Sequence, residues 1–264
     1  MSAWTLIVLT AALLLVPALL RPGRPASRRA AYWVGDIEVG LVPLWWLGRT
    51  YCRVWHRLPF EGWAPLPDAG PAILIANHTC CIDHLLLQAR CQRLLGFIIA
   101  REMYELPLVH RFCVRTGCIP VDRDGRDIRA TRAALRALEE GRVLPVFPEG
   151  RITPESGRAL GPMRSGAAFL AVRSGAPVVP AFISGTPATI DIGPSLWRPS
   201  RSRVLFGPPI DLSDFHPDQA ADKEVLAQVC RRFDAAFREL QARSLASEVQ
   251  PTPRQATAGV GSVE

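Results

Sequence analysis

The chain has 264 residues, enough for one substantial buried core plus an N-terminal attachment. Hydrophobic residues make up 48% and the net charge is +7, a balance that favours anionic lipid; no nucleic-acid partner is expected. Lys223 is the one lysine among 31 basic residues and follows no Gly-rich loop, which excludes a P-loop and leaves a Schiff-base mechanism few options.

Ala3 to Leu20 is free of charge over about eighteen residues, enough to cross a bilayer. Arg21, Arg24, Arg28 and Arg29 follow it and no basic residue precedes it, so the positive-inside rule puts everything after Leu20 in the cytoplasm. A cleaved signal peptide is the rival, but the basic n-region is missing and the arginines stand on the wrong flank. Ile37 to Trp55, with Trp45, Trp46, Tyr51 and Trp55, is expected to be a helix lying in the membrane interface, with an ordinary core helix as the alternative.

From Arg57 onward apolar runs alternate with helical periodicity. Strands are expected at Ala72–Ala76, Gly96–Ala100, Cys118–Val121, Val143–Phe147, Val178–Ile183 and Arg203–Phe206. Helices are expected at Asp83–Leu94, Glu102–Thr116, Arg126–Glu140, Arg164–Ser174 and Asp218–Arg243, the third with Ile128, Ala134, Leu135 and Leu138 tracing one face and Gly141 as its stop. Such alternation predicts an α/β domain with a mixed, largely parallel sheet flanked by helices. Ser184 to Ser202 reads as a long loop over one sheet edge. The expected division is residues 1–30 as anchor and basic flank, 31–56 as interfacial helix, 57–245 as catalytic domain and 246–264 as disordered tail.

Three strand ends carry the chemistry. His78 leaves the first strand on a tight loop, and Asp83 stands five positions on, where a helix begins. An imidazole titrates near neutral pH and suits removal of an alcohol proton, and a carboxylate on its other nitrogen fixes the tautomer. Arg123 follows a second strand; Glu149, Gly150 and Arg151 follow a third. Ligands of α/β sheets bind outside the carboxyl ends of the strands, so base, acid and two arginines are offered to one crevice. Asp83 is equally a helix N-cap, and both roles are compatible.

These stations resemble, in order, the motifs of the membrane glycerophospholipid acyltransferases: H-x4-D at His78 and Asp83, G-x-x-x-[IV]-x-R at Gly117 to Arg123, F-P-E-G with a nearby arginine at Phe147 to Arg151, and V-P-x-x-I at Val179 to Ile183. The third station departs from the usual E-G-T-R-S, reading Glu149-Gly150-Arg151-Ile152-Thr153 with its arginine one place early. The resemblance implies a glycerol-3-phosphate acyltransferase-like fold with an N-terminal membrane helix. It implies transfer of an acyl group from acyl-CoA or acyl carrier protein to a lysophospholipid hydroxyl, most simply that of 1-acyl-sn-glycerol-3-phosphate. A lysophosphatidylethanolamine-type or lyso-ornithine-lipid acceptor is the rival the early arginine encourages, and an idle lipid-binding protein is the rival outside catalysis. His78 would be the base and Asp83 its orienting acid. Arg123 and Arg151 would hold the phosphate, Glu149 would accept from the glycerol hydroxyl or brace an arginine, and Gly117 and Gly150 would let the backbone turn closely at the pocket. Pro180 would shape a strand beside the acyl channel or simply pack in the core. No prosthetic group is required, because the thiolate of the donor leaves readily.

Seven cysteines show no paired spacing and suggest reduced, buried thiols in a cytosol-facing domain. Cys80 or Cys81 as a nucleophile beside His78 is the hydrolase alternative, and a metal site at His78, Asp83 and His84 lacks a further ligand cluster, so no metal is expected.

Overall fold

The structure, a computed structural model, describes residues 33–34, 37–122 and 127–249. The expected membrane anchor, Ala3 to Leu20, lies outside the described residues, as does Arg123. Among the described residues no helix is long and apolar enough to cross a membrane.

A small antiparallel ribbon, β1 (Trp33–Val34) with β2 (Ile37–Glu38), leads into α1 (Val42–Val54). The chain then runs β3 (Ala72–Ala76), α2 (Asp83–Ala89), β4 (Ile98–Ala100), α3 (Arg101–Tyr104), α4 (Pro107–Thr116), β5 (Ile119–Val121), α5 (Ile128–Glu139) and β6 (Val143–Val146). It continues through α6 (Ser165–Ser174), β7 (Val178–Ser184), α7 (Ile192–Trp197), β8 (Arg203–Phe206) and α8 (Lys223–Val249). One sheet has the order β6-β3-β7-β8, with β3 parallel to both neighbours and β8 antiparallel. The parallel pair β4-β5 continues it beyond β6, through a parallel bridge of Leu95 to Val143. The expected mixed, largely parallel α/β sheet is thus present.

Pleating explains the core. Along β3, Ala72, Leu74 and Ala76 enter one apolar cluster with Leu86, Leu87 and Val179. Ile73 and Ile75 enter the other, with α5, α6 and Phe233 and Phe237 of α8. A central strand buried on both faces reads as an unbroken apolar run.

Several element ends differ from expectation for identifiable reasons. The predicted Glu102–Thr116 helix is two helices, because Pro107 starts α4 and holds the preceding Leu106 extended. Helix α2 stops at Ala89 rather than Leu94 because the next turn is pinned by buried arginines. Arg90 donates to the carbonyls of Gly62 and Pro59, and Arg93 to those of Pro67, Gly70 and Gly141. In α5 the buried face is Ala130, Ala134, Ala137 and Leu138; Ile128, at its first turn, is exposed instead. The Ser184–Ser202 segment is not wholly loop, since it contains α7. Helix α8 runs to Val249, past the expected break at Ala246.

Helix α1 packs on α2, where the Trp45 indole donates to the Gln88 carbonyl at 3.2 Å. Its outer side gathers Trp45, Trp46, Phe60 and Trp63 around the Arg49 guanidinium, which lies 4.3 Å from the Trp63 ring centre. At its end the fully buried His56 bonds the Tyr51 hydroxyl (2.9 Å) and Ser200 (2.8 Å), and Tyr51 donates to the Leu196 carbonyl at 2.5 Å. This buried clasp joins α1 to the α7–β8 connection.

Candidate active site

The strands β3 to β7 are parallel, so their carboxyl ends share one edge, and His78 lies there, two residues past β3. Asn77 prolongs the ladder with its side chain: its amide donates to the Ile183 carbonyl (2.9 Å) and accepts from the Ile183 amide (2.6 Å). His78 therefore leaves a fixed strand end.

The imidazole Nδ1 is 2.8 Å from Oδ2 of the fully buried Asp83. That same oxygen accepts from the amides of Thr79 (2.5 Å) and Cys80 (3.1 Å), and Oδ1 accepts from the Thr79 hydroxyl at 2.6 Å. Thr186 donates in turn to Thr79 at 2.9 Å. An ionised carboxylate only accepts, so Nδ1 carries the proton and Nε2 is left with its lone pair. Nε2 has no protein partner among the described residues, while 12% of the side chain is exposed. Phe147 stacks on the ring at 4.0 Å between centres and 10° between planes. A base held by its acid on one nitrogen, by an aromatic face on one side, and open at the other nitrogen is what proton removal from an alcohol requires.

Glu149 is buried, and its two oxygens accept from the amides of His78 and Gly161, each at 3.0 Å. Burial holds its carboxyl above the ordinary range, against the downward pull of those amides. It braces the backbone under His78, and no arginine pairs with it among the described residues.

Gly150 has φ +78°, and a Cβ there would come 2.8 Å from Cδ of Arg164. Arg164, at the start of α6, is exposed and, like Arg151, makes no ion pair among the described residues. Sequence reading singled out Arg151 and missed Arg164; the turn glycine beside it was the available signal. Arg101, just past β4, was also missed. It is committed to Asp122 in a two-pronged pair at 2.5 and 2.9 Å, in the region after β5 where Arg123 was expected to act.

Gly117 is not at this edge. It closes α4 with φ +69° ahead of β5, and its carbonyl accepts from Arg142, which precedes β6; both stand at the amino ends of their strands. A Cβ there would lie 2.0 Å from Arg142 Nη1. Its glycine serves a helix end and this close approach, not the crevice. Pro180 is buried in β7 and packs against Gly207, its Cγ falling 2.9 Å from where a Gly207 Cβ would sit, as the core-packing reading expects.

His84 stands edge-on to His78 at 5.8 Å and to Phe97 at 4.7 Å. Burial, reinforced by His78, drives its imidazole down to about 4, so it is neutral when His78 works. The Cys80 thiol is fully buried and pushed up to about 12 by burial and by Asp83, which removes it as a nucleophile. Among the described residues no group of three or more His, Cys, Asp or Glu side chains could hold a metal ion.

A largely parallel sheet thus carries an Asp-held histidine at its carboxyl edge, in the H-x4-D order. Residues 57–184 match the family model described as Acyltransferase, a span that holds all four motifs, so the chain carries an acyltransferase domain and the resemblance read from the sequence holds. The chain is 25% identical over 177 residues to the 1-acyl-sn-glycerol-3-phosphate acyltransferase of Bacillus subtilis (strain 168), covering 67% of this chain and 84% of that one. It is 27% identical over 84 residues to the 1-acyl-sn-glycerol-3-phosphate acyltransferase of Helicobacter pylori, covering 31% of this chain and 35% of that one. The fold is similar to the crystal structure of the 1-acyl-sn-glycerophosphate acyltransferase PlsC from Thermotoga maritima, with a TM-score of 0.64, 20% identity and 89% of each chain covered.

Proposed function

We propose that this enzyme transfers a fatty acyl group from a thioester, acyl-CoA or acyl-acyl carrier protein, to the free hydroxyl of 1-acyl-sn-glycerol-3-phosphate, forming phosphatidic acid. The open Nε2 of His78, with Nδ1 fixed on Asp83, carries the proposal. Nε2 takes the hydroxyl proton as the oxygen attacks the thioester carbonyl; the tetrahedral intermediate then expels the thiolate, which receives that proton from the imidazolium. No prosthetic group is called for, and the positioned base supplies about 10²- to 10⁴-fold. Arg151 and Arg164 hold the acceptor phosphate, together with Arg123. The reaction is placed at the inner face of the cytoplasmic membrane, with the catalytic domain facing the cytoplasm. The exposed Trp46 and the aromatic cluster around Arg49 on α1 support contact with lipid.

Purified enzyme given labelled acyl-CoA and 1-acyl-glycerol-3-phosphate should yield labelled phosphatidic acid, and His78→Ala should abolish product at unchanged protein level. Equal turnover by mutant and wild type would remove the mechanism. A second acceptor class stays in view because Arg151 stands one place early: lysophosphatidylethanolamine or a lyso-ornithine lipid preferred over the phosphate monoester would replace the proposed acceptor. Arg151→Ala with Arg164→Ala should raise KM for the phosphate monoester, and an unchanged KM would reject both as its ligands.

A further inference from the structure

The connection between β7 and β8 is tied to the catalytic turn and to α1, yet it turns apolar side chains outward. Thr186 bonds Thr79, and the Cys81 thiol donates to the Ile190 carbonyl at 3.3 Å, so this connection begins against the residues following His78. Its other end is held to α1 by Tyr51–Leu196 and His56–Ser200. Inside, Ser195 is fully buried and donates to the Asp191 carbonyl at 2.7 Å, so α7 is a built element and not a loose excursion. Outside, Ile190 is 53%, Ile192 45% and Trp197 69% exposed. Arg198 and Arg201 follow, both exposed and without an ion pair among the described residues.

An exposed indole and two isoleucines beside unpaired guanidiniums are costly in water and complementary to an anionic bilayer surface: apolar groups enter the acyl boundary while the cations meet phosphates. We propose that residues 190–201 form a second membrane-contact element, centred on α7 and fixed to α1 by the His56 clasp. The catalytic turn, bound to this element on one side, then faces lipid, and a lysolipid reaches His78 without leaving the bilayer. An acidic carrier protein would also meet Arg198 and Arg201, but it gives no reason for the exposed Trp197 and isoleucines. The inference rests on the lipid acceptor proposed above.

The test uses the full chain and sedimentation with vesicles of phosphatidylglycerol and phosphatidylethanolamine, against vesicles of phosphatidylcholine. Ile192→Ser with Trp197→Ser should weaken binding to the anionic vesicles by about tenfold or more, and Trp197→Phe alone should retain it. Arg198→Gln and Arg201→Gln should each cost about fivefold on anionic vesicles and nothing on phosphatidylcholine. All these variants should turn over a short-chain, water-soluble 1-acyl-glycerol-3-phosphate at the wild-type rate, which also shows that they are folded. Unchanged vesicle binding by the Ser double variant overturns the inference. So does a raised KM for acyl carrier protein in the arginine variants with vesicle binding intact, which would assign the patch to the donor. Failure of the wild type to use any lysolipid would instead overturn the acceptor reading, and the vesicle arms would still report on the surface.

Discussion

Asp83→Asn separates two ways in which the acid serves His78. The amide is isosteric, but only its oxygen can face the Thr79 and Cys80 amides, which lie 2.5 and 3.1 Å from Oδ2. Turning the amide nitrogen toward them would set donor against donor at two buried N–H groups, at about 1–3 kcal/mol each. The oxygen therefore stays opposite Nδ1, and the histidine keeps its tautomer. What is lost is the negative charge beside the imidazolium as it forms, together with the acceptor for the Thr79 hydroxyl. A charge-assisted bond is about twice as strong as a neutral one, which puts the transition-state loss at roughly 2–3 kcal/mol, or about 30- to 150-fold in kcat. The assay is thiol release from acyl-CoA at saturating acceptor, with Tm measured alongside to separate stability from chemistry. A loss near 10⁴-fold would mean that the amide had turned and fixed the wrong tautomer. A kcat within twofold of wild type would refute the role given to Asp83.

Other perturbations reach different parts of the structure. Gly117→Ala should lower Tm markedly, because the new Cβ meets Arg142 in a backbone region closed to alanine, while KM for the acceptor stays at the wild-type value; a raised KM would restore Gly117 to the crevice. Arg93→Ala strips the carbonyls of Pro67, Gly70 and Gly141 of their donor and should cost at least ~3 kcal/mol in urea unfolding; a change below ~1 kcal/mol would show that water replaces it freely. His84 has a folded value of about 4 against an ordinary 6.5, so the unfolded chain takes the proton first as pH falls. Its contribution is full above 6.5 and lost progressively toward 4, by up to about 3 kcal/mol before allowance for its partial exposure. Urea unfolding across that range should therefore be less pH-dependent in His84→Phe than in wild type, and identical slopes would contradict the burial argument.

The parts of the fold readable in the sequence were those with local signatures. Strand β3 is an apolar run bounded by Pro71 and Asn77, and α5 ends at Gly141 with the positive φ that a helix stop requires. His78 and Asp83 were legible because both partners lie on one turn, five residues apart. Long-range pairings left no such trace. Glu149 reaches across 71 residues to the His78 amide, and nothing in Phe147-Pro148-Glu149 tells whether its partner is a ligand or a backbone. Gly117 was misplaced because a glycine at a helix end and one beside a ligand look alike until the strand direction is known. Helix α7 was hidden by its Pro and Gly, and its stability comes from contacts with α1 that lie far away in the chain. The excess of arginine concealed Arg90 and Arg93, whose burial against carbonyls is a tertiary property.

The state of the cysteines bears on turnover. If the donor is a thioester, an accessible protein thiolate would compete with the acceptor hydroxyl: it would attack the thioester carbonyl, take the acyl group and expel the donor's own thiolate. Cys52, Cys80 and Cys91 are sealed in the core and pushed up to about 12, chiefly by burial. These three sulfurs are protonated and out of reach at neutral pH, so the donor's acyl group meets no competing sulfur there.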